Sequence, residues 1–182
     1  MRAKERGLSD RTRFIVCDAR EIRKCFNDTH IFDVAIFVWS SVIGYYDMDT
    51  DIHILKSVKE IVKNSGFLVM ADMVNKDYIE LLNSLVGNMD TYTDYGSYAI
   101  VERSVYNPVT GEILIKQRFY RKVYNNLEYI DEIYFKMRLY SLSELIEVAR
   151  KAGWCLVKVL KDIWGELGYS IFKPINIIFQ SC

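Results

Sequence analysis

The chain is short of almost everything that would announce a partner by composition. It carries no net charge, with 24 Lys and Arg against 24 Asp and Glu among 182 residues. A nucleic-acid surface or an anionic-lipid patch needs an excess of basic groups, so neither partner is expected. Its four cysteines, Cys17, Cys25, Cys155 and Cys182, include no CxxC pair, which removes the common spacing of zinc and redox sites. They read as reduced, structural thiols of a cytoplasmic protein. The only histidines are His30 and His53. Neither has metal-ligand companions, so no metal is expected. No apolar run approaches a membrane span, and the opening Met1-Arg2-Ala3-Lys4-Glu5-Arg6 is too charged for a signal peptide. No repeat and no low-complexity linker divides the chain. Prolines number 2 and tyrosines 13, an aromatic excess suited first to sheet and core packing and second to lining a cleft.

What remains is a chain of ordinary globular composition, 51% hydrophobic and 26% charged. Its length suits one domain, residues 1–182, with a core of its own. Met1 to Arg6, closed by Gly7, reads as the tail of a helix. Arg13 to Cys17 is a short apolar run and reads as a buried strand ending at Asp18. Phe32 to Trp39 is a β-branched and aromatic run, the profile of a central parallel strand. A helix is expected from about Asp49 to Lys63, with Ile54, Val58, Ile61 and Val62 on one face and Asp49 or Thr50 as its cap. Gly66 to Met73 reads as a third buried strand. Asn75 to Val86 reads as a helix with Ile79, Leu82, Leu85 and Val86 inward.

The pattern then changes. Tyr98 to Tyr106, Glu112 to Val123 and Tyr129 to Tyr140 read as extended segments, the first two joined by the turn Asn107-Pro108-Val109-Thr110-Gly111. Residues 98–140 are thus expected to form an antiparallel three-strand meander inserted among α/β units. Ser141-Leu142-Ser143-Glu144 is a capping box. It opens a helix with Leu142, Leu145, Ile146 and Ala149 buried, closed by Gly153. Trp154 to Leu160 and Ser170 to Gln180 complete the strands. Alternation of strands and helices predicts an α/β fold with a mostly parallel, doubly wound sheet.

Four segments, in this order, resemble one family. RFIVCDAR (13–20), FDVAIFVWSSVIGYY (32–46), NSGFLVMAD (64–72) and YSLSELIEVARKAGW (140–154) are similar to strands 3, 4 and 5 and the late helix of class I S-adenosylmethionine (SAM) dependent methyltransferases. The resemblance spans nearly the whole chain. It implies a Rossmann-like sheet ordered 3-2-1-4-5-7-6 with strand 7 antiparallel, of which this chain supplies strands 3 to 7. Strands 1 and 2, with the Gly-rich loop and the acidic residue that grips the cofactor ribose, have no counterpart here. The domain is therefore expected to be incomplete at its N-terminus.

The resemblance also implies roles. Asp18, Ala19 and Arg20 would meet the adenine edge of SAM, and Trp39 and Ser40 would flank the cofactor at the end of the fourth strand. Ser41, Tyr45, Tyr46 and Arg118 would border the acceptor. Asp18 is equally suited to capping the short helix after it, and the Ser40-Ser41 pair to an ordinary turn. Tyr45 and Tyr46 are as well suited to packing under the meander. His30 falls at the wrong end of the sheet for a base, and His53 on the polar side of a helix. Trp164 to Gly168 is a connection that could serve as a lid.

Methyl transfer from a sulfonium is an in-line displacement whose leaving group is already activated. The protein mainly aligns the reactants and excludes water. No general base needs to be visible in the sequence, and no catalytic residue is named. The expectation is transfer of a methyl group to a small-molecule acceptor, by a chain completed through an upstream segment or a second copy. The rival expectation is a catalytically inactive, truncated homologue that dimerises or binds a partner. A dehydrogenase is disfavoured by the meander and the antiparallel final strands.

Overall fold

A computed structural model describes residues 2–182 of the chain. Two sheets form. In the first, the order is β1-β2-β8-β7, where β1 is Phe32–Val38, β2 is Val62–Met73, β7 is Trp154–Leu160 and β8 is Ile175–Ser181. β1 runs parallel to β2, while β8 lies antiparallel to both β2 and β7. Strands β1, β2 and β7 therefore point one way and β8 the other. The second sheet is antiparallel, ordered β3-β4-β5-β6, with β3 Met89–Asp94, β4 Tyr98–Asn107, β5 Glu112–Val123 and β6 Asn126–Arg138. It has four strands where three were expected. The extra one, β3, reads MDTYTD, too polar to register as a strand by composition. It forms because β4 offers it a partner along its whole length.

Besides the short α1 (Arg2–Glu5), three helices form: α2 (Met48–Ile61), α3 (Lys76–Val86) and α4 (Leu142–Lys151). The α2 cap is Asp47, whose side chain accepts from the Thr50 amide, two to three residues before the expected Asp49 or Thr50. α4 opens with the capping box as read, Ser141 and Glu144 bonding reciprocally. Ile54, Leu55 and Val58 of α2 and Leu145, Val148 and Ala149 of α4 pack on Phe37, Leu68, Met70, Ile177 and Phe179 of the first sheet. α3 departs from its expected burial. Ile79 packs on the second sheet, but Leu85 and Val86 are 70% and 66% exposed, because no element covers that end of the helix.

Two further expectations fail for one reason. Arg13 to Cys17 is not a strand, and Phe14 and Val16 stand exposed. A strand needs a neighbour for its backbone groups, and among the described residues β1 is an edge with no strand on its far side. The first sheet is likewise not doubly wound. α2 and α4 cover one face. On the other, Val34, Ile36 and Val38 of β1 are 42%, 63% and 46% exposed, beside an open apolar trough of about 390 Å³ shared with Phe67, Val69, Val157 and Ile178.

The cysteines also differ from expectation. Cys17 pairs with Cys25 and Cys155 with Cys182, so the argument from free thiols to a reducing compartment loses its support. Each pair is remote enough in sequence to escape a CxxC search. Alkylation of the native protein without reductant is expected to label none of the four cysteines, and all four after reduction and unfolding. Labelling of the unreduced protein would show that the crosslinks do not form. Among the described residues no helix is long and apolar enough to cross a membrane.

Candidate functional site

In open α/β sheets, ligands bind outside the carboxyl ends of the parallel strands. At that end β1 leaves the sheet through an unusual turn. Trp39, Ser40 and Ser41 have φ of 53°, 64° and 45°. Three consecutive non-glycine residues in left-handed conformations store strain of order 1–3 kcal/mol each, and such strain persists only where surrounding contacts over-determine it. Those contacts are present. The Ser41 hydroxyl accepts from the Val38 amide at 2.9 Å and donates to the Val38 carbonyl at 2.8 Å. The Ile43 amide donates to the Ser40 carbonyl at 2.7 Å, and the Trp39 amide to Ala71 at 3.0 Å. Asp72, at the adjoining end of β2, is also left-handed, with φ of 52°. Its amide donates to the Asn176 side chain at 2.9 Å.

The candidate residues fall into three groups. Asp18 and Arg20 line an open cavity of about 690 Å³ with Glu21, Asp47, Asp49, Thr50 and His53. Asp18 caps the short 3-10 helix Ala19–Cys25, accepting from the Arg20 amide. It also receives the Arg20 guanidinium, Nη2 to Oδ2 at 2.6 Å. That side-chain bond, with the backbone one, holds the Asp18 carboxyl down at about 2. Arg20 in turn lies over the Tyr46 ring, 4.9 Å from its centroid. Ala19 is half-buried at the same turn. His53 Nε2 approaches the Arg20 carbonyl at 3.1 Å and so faces this cavity.

The second group is the strained turn. Trp39 is 75% exposed and Ser40 is buried. Neither lines the large cavity. Ser41 is spent on Val38, as described. Tyr45 stacks on Phe135 of β6, with centroids 6.2 Å apart, which joins the turn to the second sheet. The third group is Arg118 alone. It pairs with Glu132 at 3.3 Å. Arg118 lies opposite Glu132 and Phe135 opposite Ile115, so alternation puts Arg118 on the face away from Tyr45.

Several polar residues at this end carried no signal in the sequence. Asn75 caps α3 through the Asp77 amide, and its Nδ2 donates to Tyr169, Ile171 and Lys173. It thereby ties the loop before β8 to the end of β2. Asp51 is fully buried in α2 and accepts from the Gly44 amide at 2.9 Å and the Tyr140 hydroxyl at 2.7 Å. Buried polar groups with long-range partners are invisible to local pattern reading. His30 sits at the opposite end of the sheet, its Nδ1 at 2.8 Å from the Val62 carbonyl. Among the described residues no group of His, Cys, Asp and Glu could hold a metal.

This architecture has solved counterparts. A SAM-dependent methyltransferase from Clostridium acetobutylicum ATCC 824 superposes with a TM-score of 0.76 at 14% identity, over 99% of this chain and 68% of that one. The chain carries the class I methyltransferase fold. The CcbJ methyltransferase from Streptomyces caelestis matches with a TM-score of 0.73 at 13% identity, over 92% of this chain and 63% of its own. SAM-bound CalS10, an amino pentose methyltransferase from Micromonospora echinaspora, matches at 0.60 and 10% identity, over 91% of this chain and 63% of its own. No family model and no curated protein matches the sequence. This methyltransferase-fold chain thus spans roughly two thirds of the length of its structural counterparts.

Asp18 would be the residue to meet a SAM adenine; it is exposed, and both of its carboxylate oxygens are engaged by Arg20. For the methionine end, the described residues offer no glycine-rich backbone cradle, and the edge of β1 where one would adjoin is open.

Proposed function

We propose that this chain is part of a SAM-dependent methyltransferase acting on a small-molecule acceptor, and that further polypeptide at the β1 edge completes the cofactor site. The single observation that carries the reading is the strained pair of turns, Trp39 to Ser41 and Asp72, at the carboxyl ends of the two adjacent parallel strands. Strain concentrated at this end of the parallel strands, where ligands of open α/β sheets bind, supports a ligand-facing rim. Asp18 and Ala19 take the adenine edge, and Trp39 and Ser40 shape the wall beyond it. Tyr45 and Tyr46 border the acceptor with the second sheet standing over them. A small acceptor is favoured because one of the solved counterparts is named for an amino pentose and because the chain carries no net positive charge to favour a polynucleotide.

The completing polypeptide is proposed from the bare face and open edge of the first sheet. An unpaired, apolar edge strand is a template for another strand. Either an upstream segment or a second copy of the chain fills that role. A rival reading, a non-catalytic module that dimerises through this edge, rests on the same feature. Titration calorimetry of the chain with S-adenosylhomocysteine, with sedimentation on the same sample, separates them. Micromolar binding supports the enzyme reading, and binding that tracks a monomer–dimer equilibrium identifies a second copy as the completing part. A stable dimer without binding at millimolar ligand supports the non-catalytic module. A monomer that also fails to bind, and still fails with an N-terminal methyltransferase segment supplied, overturns the enzyme reading.

A further inference from the structure

The most deeply buried charge-bearing group joins three stretches that are remote in sequence. Asp51 projects from the first turns of α2. Its Oδ2 holds the Gly44 amide and the Tyr140 hydroxyl, while the Gly44 carbonyl accepts from the Arg138 amide at 2.6 Å. The β1–α2 loop, the helix and the exit from β6 therefore meet at one carboxylate. Tyr140 is fixed from its other side, since its carbonyl accepts from the Lys76 amide at 3.2 Å. The other carboxylate oxygen, Oδ1, is buried with no hydrogen-bond partner, and so is Arg138 Nε. The Arg138 guanidinium lies over the Tyr140 ring, 5.6 Å from its centroid.

We propose that Asp51 is a positioning residue, whose buried carboxylate latches the Trp39–Gly44 turn to the second sheet and sets how readily that turn opens. The inference rests on the reading that this turn borders the acceptor. The turn's other bonds are short-range, from Ser41 to Val38 and from Ile43 to Ser40, or run to the neighbouring β2 and its exit. Among the described residues, the turn's one backbone bond to the second sheet is the Gly44 carbonyl accepting from the Arg138 amide, and Asp51 holds the same residue's amide. Opening therefore means hydrating Asp51.

The sign of the pH dependence follows from linkage. Burial pushes the Asp51 carboxyl up to about 6 from 3.8, against the lowering effect of the Tyr140 and Gly44 bonds; Asp47 adds to the rise and Arg138 opposes it. The closed state thus holds its proton more tightly than a hydrated carboxylate does. Opening becomes easier as pH rises from about 4 to about 6 and is constant above. At neutral pH the turn is held by a buried charge without a bonded cation, and is poised to open.

Amide hydrogen exchange of the full chain tests this without any ligand. Protection of residues 39–46, corrected for intrinsic exchange, is expected to fall about fifty-fold between pH 4 and 7 in the wild type. It is expected to stay level in Asp51→Asn. Tyr140→Phe removes a single hydroxyl and is expected to lower protection of 39–46 several-fold at pH 7 while β8 amides hold. The latch is overturned if the wild type shows no pH dependence in this segment, or if β8 and 39–46 move together. It is overturned equally if Tyr140→Phe leaves 39–46 unchanged. Should Asp51→Asn fail to fold, Tyr140→Phe decides alone. Failure here leaves the S-adenosylhomocysteine titration standing, and failure of that titration leaves the latch standing.

Discussion

Replacing Trp154 with alanine is expected to lower the stability of the fold by about 4 kcal/mol, the usual range for losing a buried large aromatic. Trp154 begins β7 and is 1% exposed. It belongs to the cluster formed by α2, α4 and the first sheet. A buried tryptophan removes roughly 200 Å² from water, which at about 25 cal/mol per Å² is about 5 kcal/mol of transfer free energy. Its indole N–H also donates to the Leu55 carbonyl at 3.0 Å, so the substitution removes a cross-link between β7 and α2. That carbonyl keeps its helical partner, which limits the penalty. With a urea slope of about 2 kcal/mol per molar, the unfolding midpoint should drop by about 2 M. A shift under about 0.5 M would show that the core reorganises around the cavity. Trp164, 88% exposed, serves as the control, and its alanine variant should unfold within experimental error of the wild type.

Gly44→Ala is expected to cost about 3 kcal/mol, through backbone strain and a steric clash together. Gly44 has φ of +91°, and an added Cβ would fall well inside 3.0 Å of the Arg138 carbonyl oxygen. The backbone cannot shift to relieve this, because its amide is held by Asp51 and its carbonyl by Arg138. For a domain of this length the loss corresponds to a fall in Tm of about 6–12 °C. Gly96 offers the contrast. It also has positive φ, at 78°, but nothing lies within 4 Å of its missing side chain. Gly96→Ala should cost only about 1 kcal/mol. Equal losses at the two glycines would mean that the contact with Arg138 is soft, and would weaken the case for a latched turn.

The elements most legible in the sequence were those whose signal is local. FDVAIFV is apolar enough to specify a strand, and β1 occupies Phe32–Val38, but it lies at the sheet edge with one residue buried, not in the central, buried place its composition suggested. Ser141 and Glu144 satisfy each other's backbone within one turn, so α4 could be read from four residues. The elements that escaped depend on distant partners. RFIVC has strand composition but no strand beside it, and it stays extended and exposed. MDTYTD lacks strand composition yet pairs along its length with β4. Leu85 and Val86 lie on an apolar helix face that nothing covers. In each case the deciding quantity is whether a neighbour exists, and composition does not carry that.

The candidate site divides the same way. The capping role of Asp18 was legible because the carboxylate stands directly before a short helix, whereas Arg20 was named through the family resemblance and its pairing with Asp18 came only with the fold. Arg118 was read from the sequence only as a residue bordering the acceptor. The register with Glu132, fourteen positions on through the hairpin, places it on the face away from Tyr45. Asp51 was one acid among several near a helix start. Its burial is set by Tyr140, which lies 89 residues on. The pairing of Cys17 with Cys25 and of Cys155 with Cys182 likewise rests on distance in space.

By itself the sequence determined the alternation of strands and helices, the α4 capping box, the turn glycines and the order of segments that marks the class I methyltransferase fold. These follow from hydrophobic period and short-range hydrogen bonding, which act over a few residues. Only the tertiary structure decided which face of the first sheet is bare, which apolar runs become strands, and how the turn after β1 is strained and held. Those outcomes depend on long-range pairing and burial, where a polar group's energy is set by partners that the chain brings together only on folding.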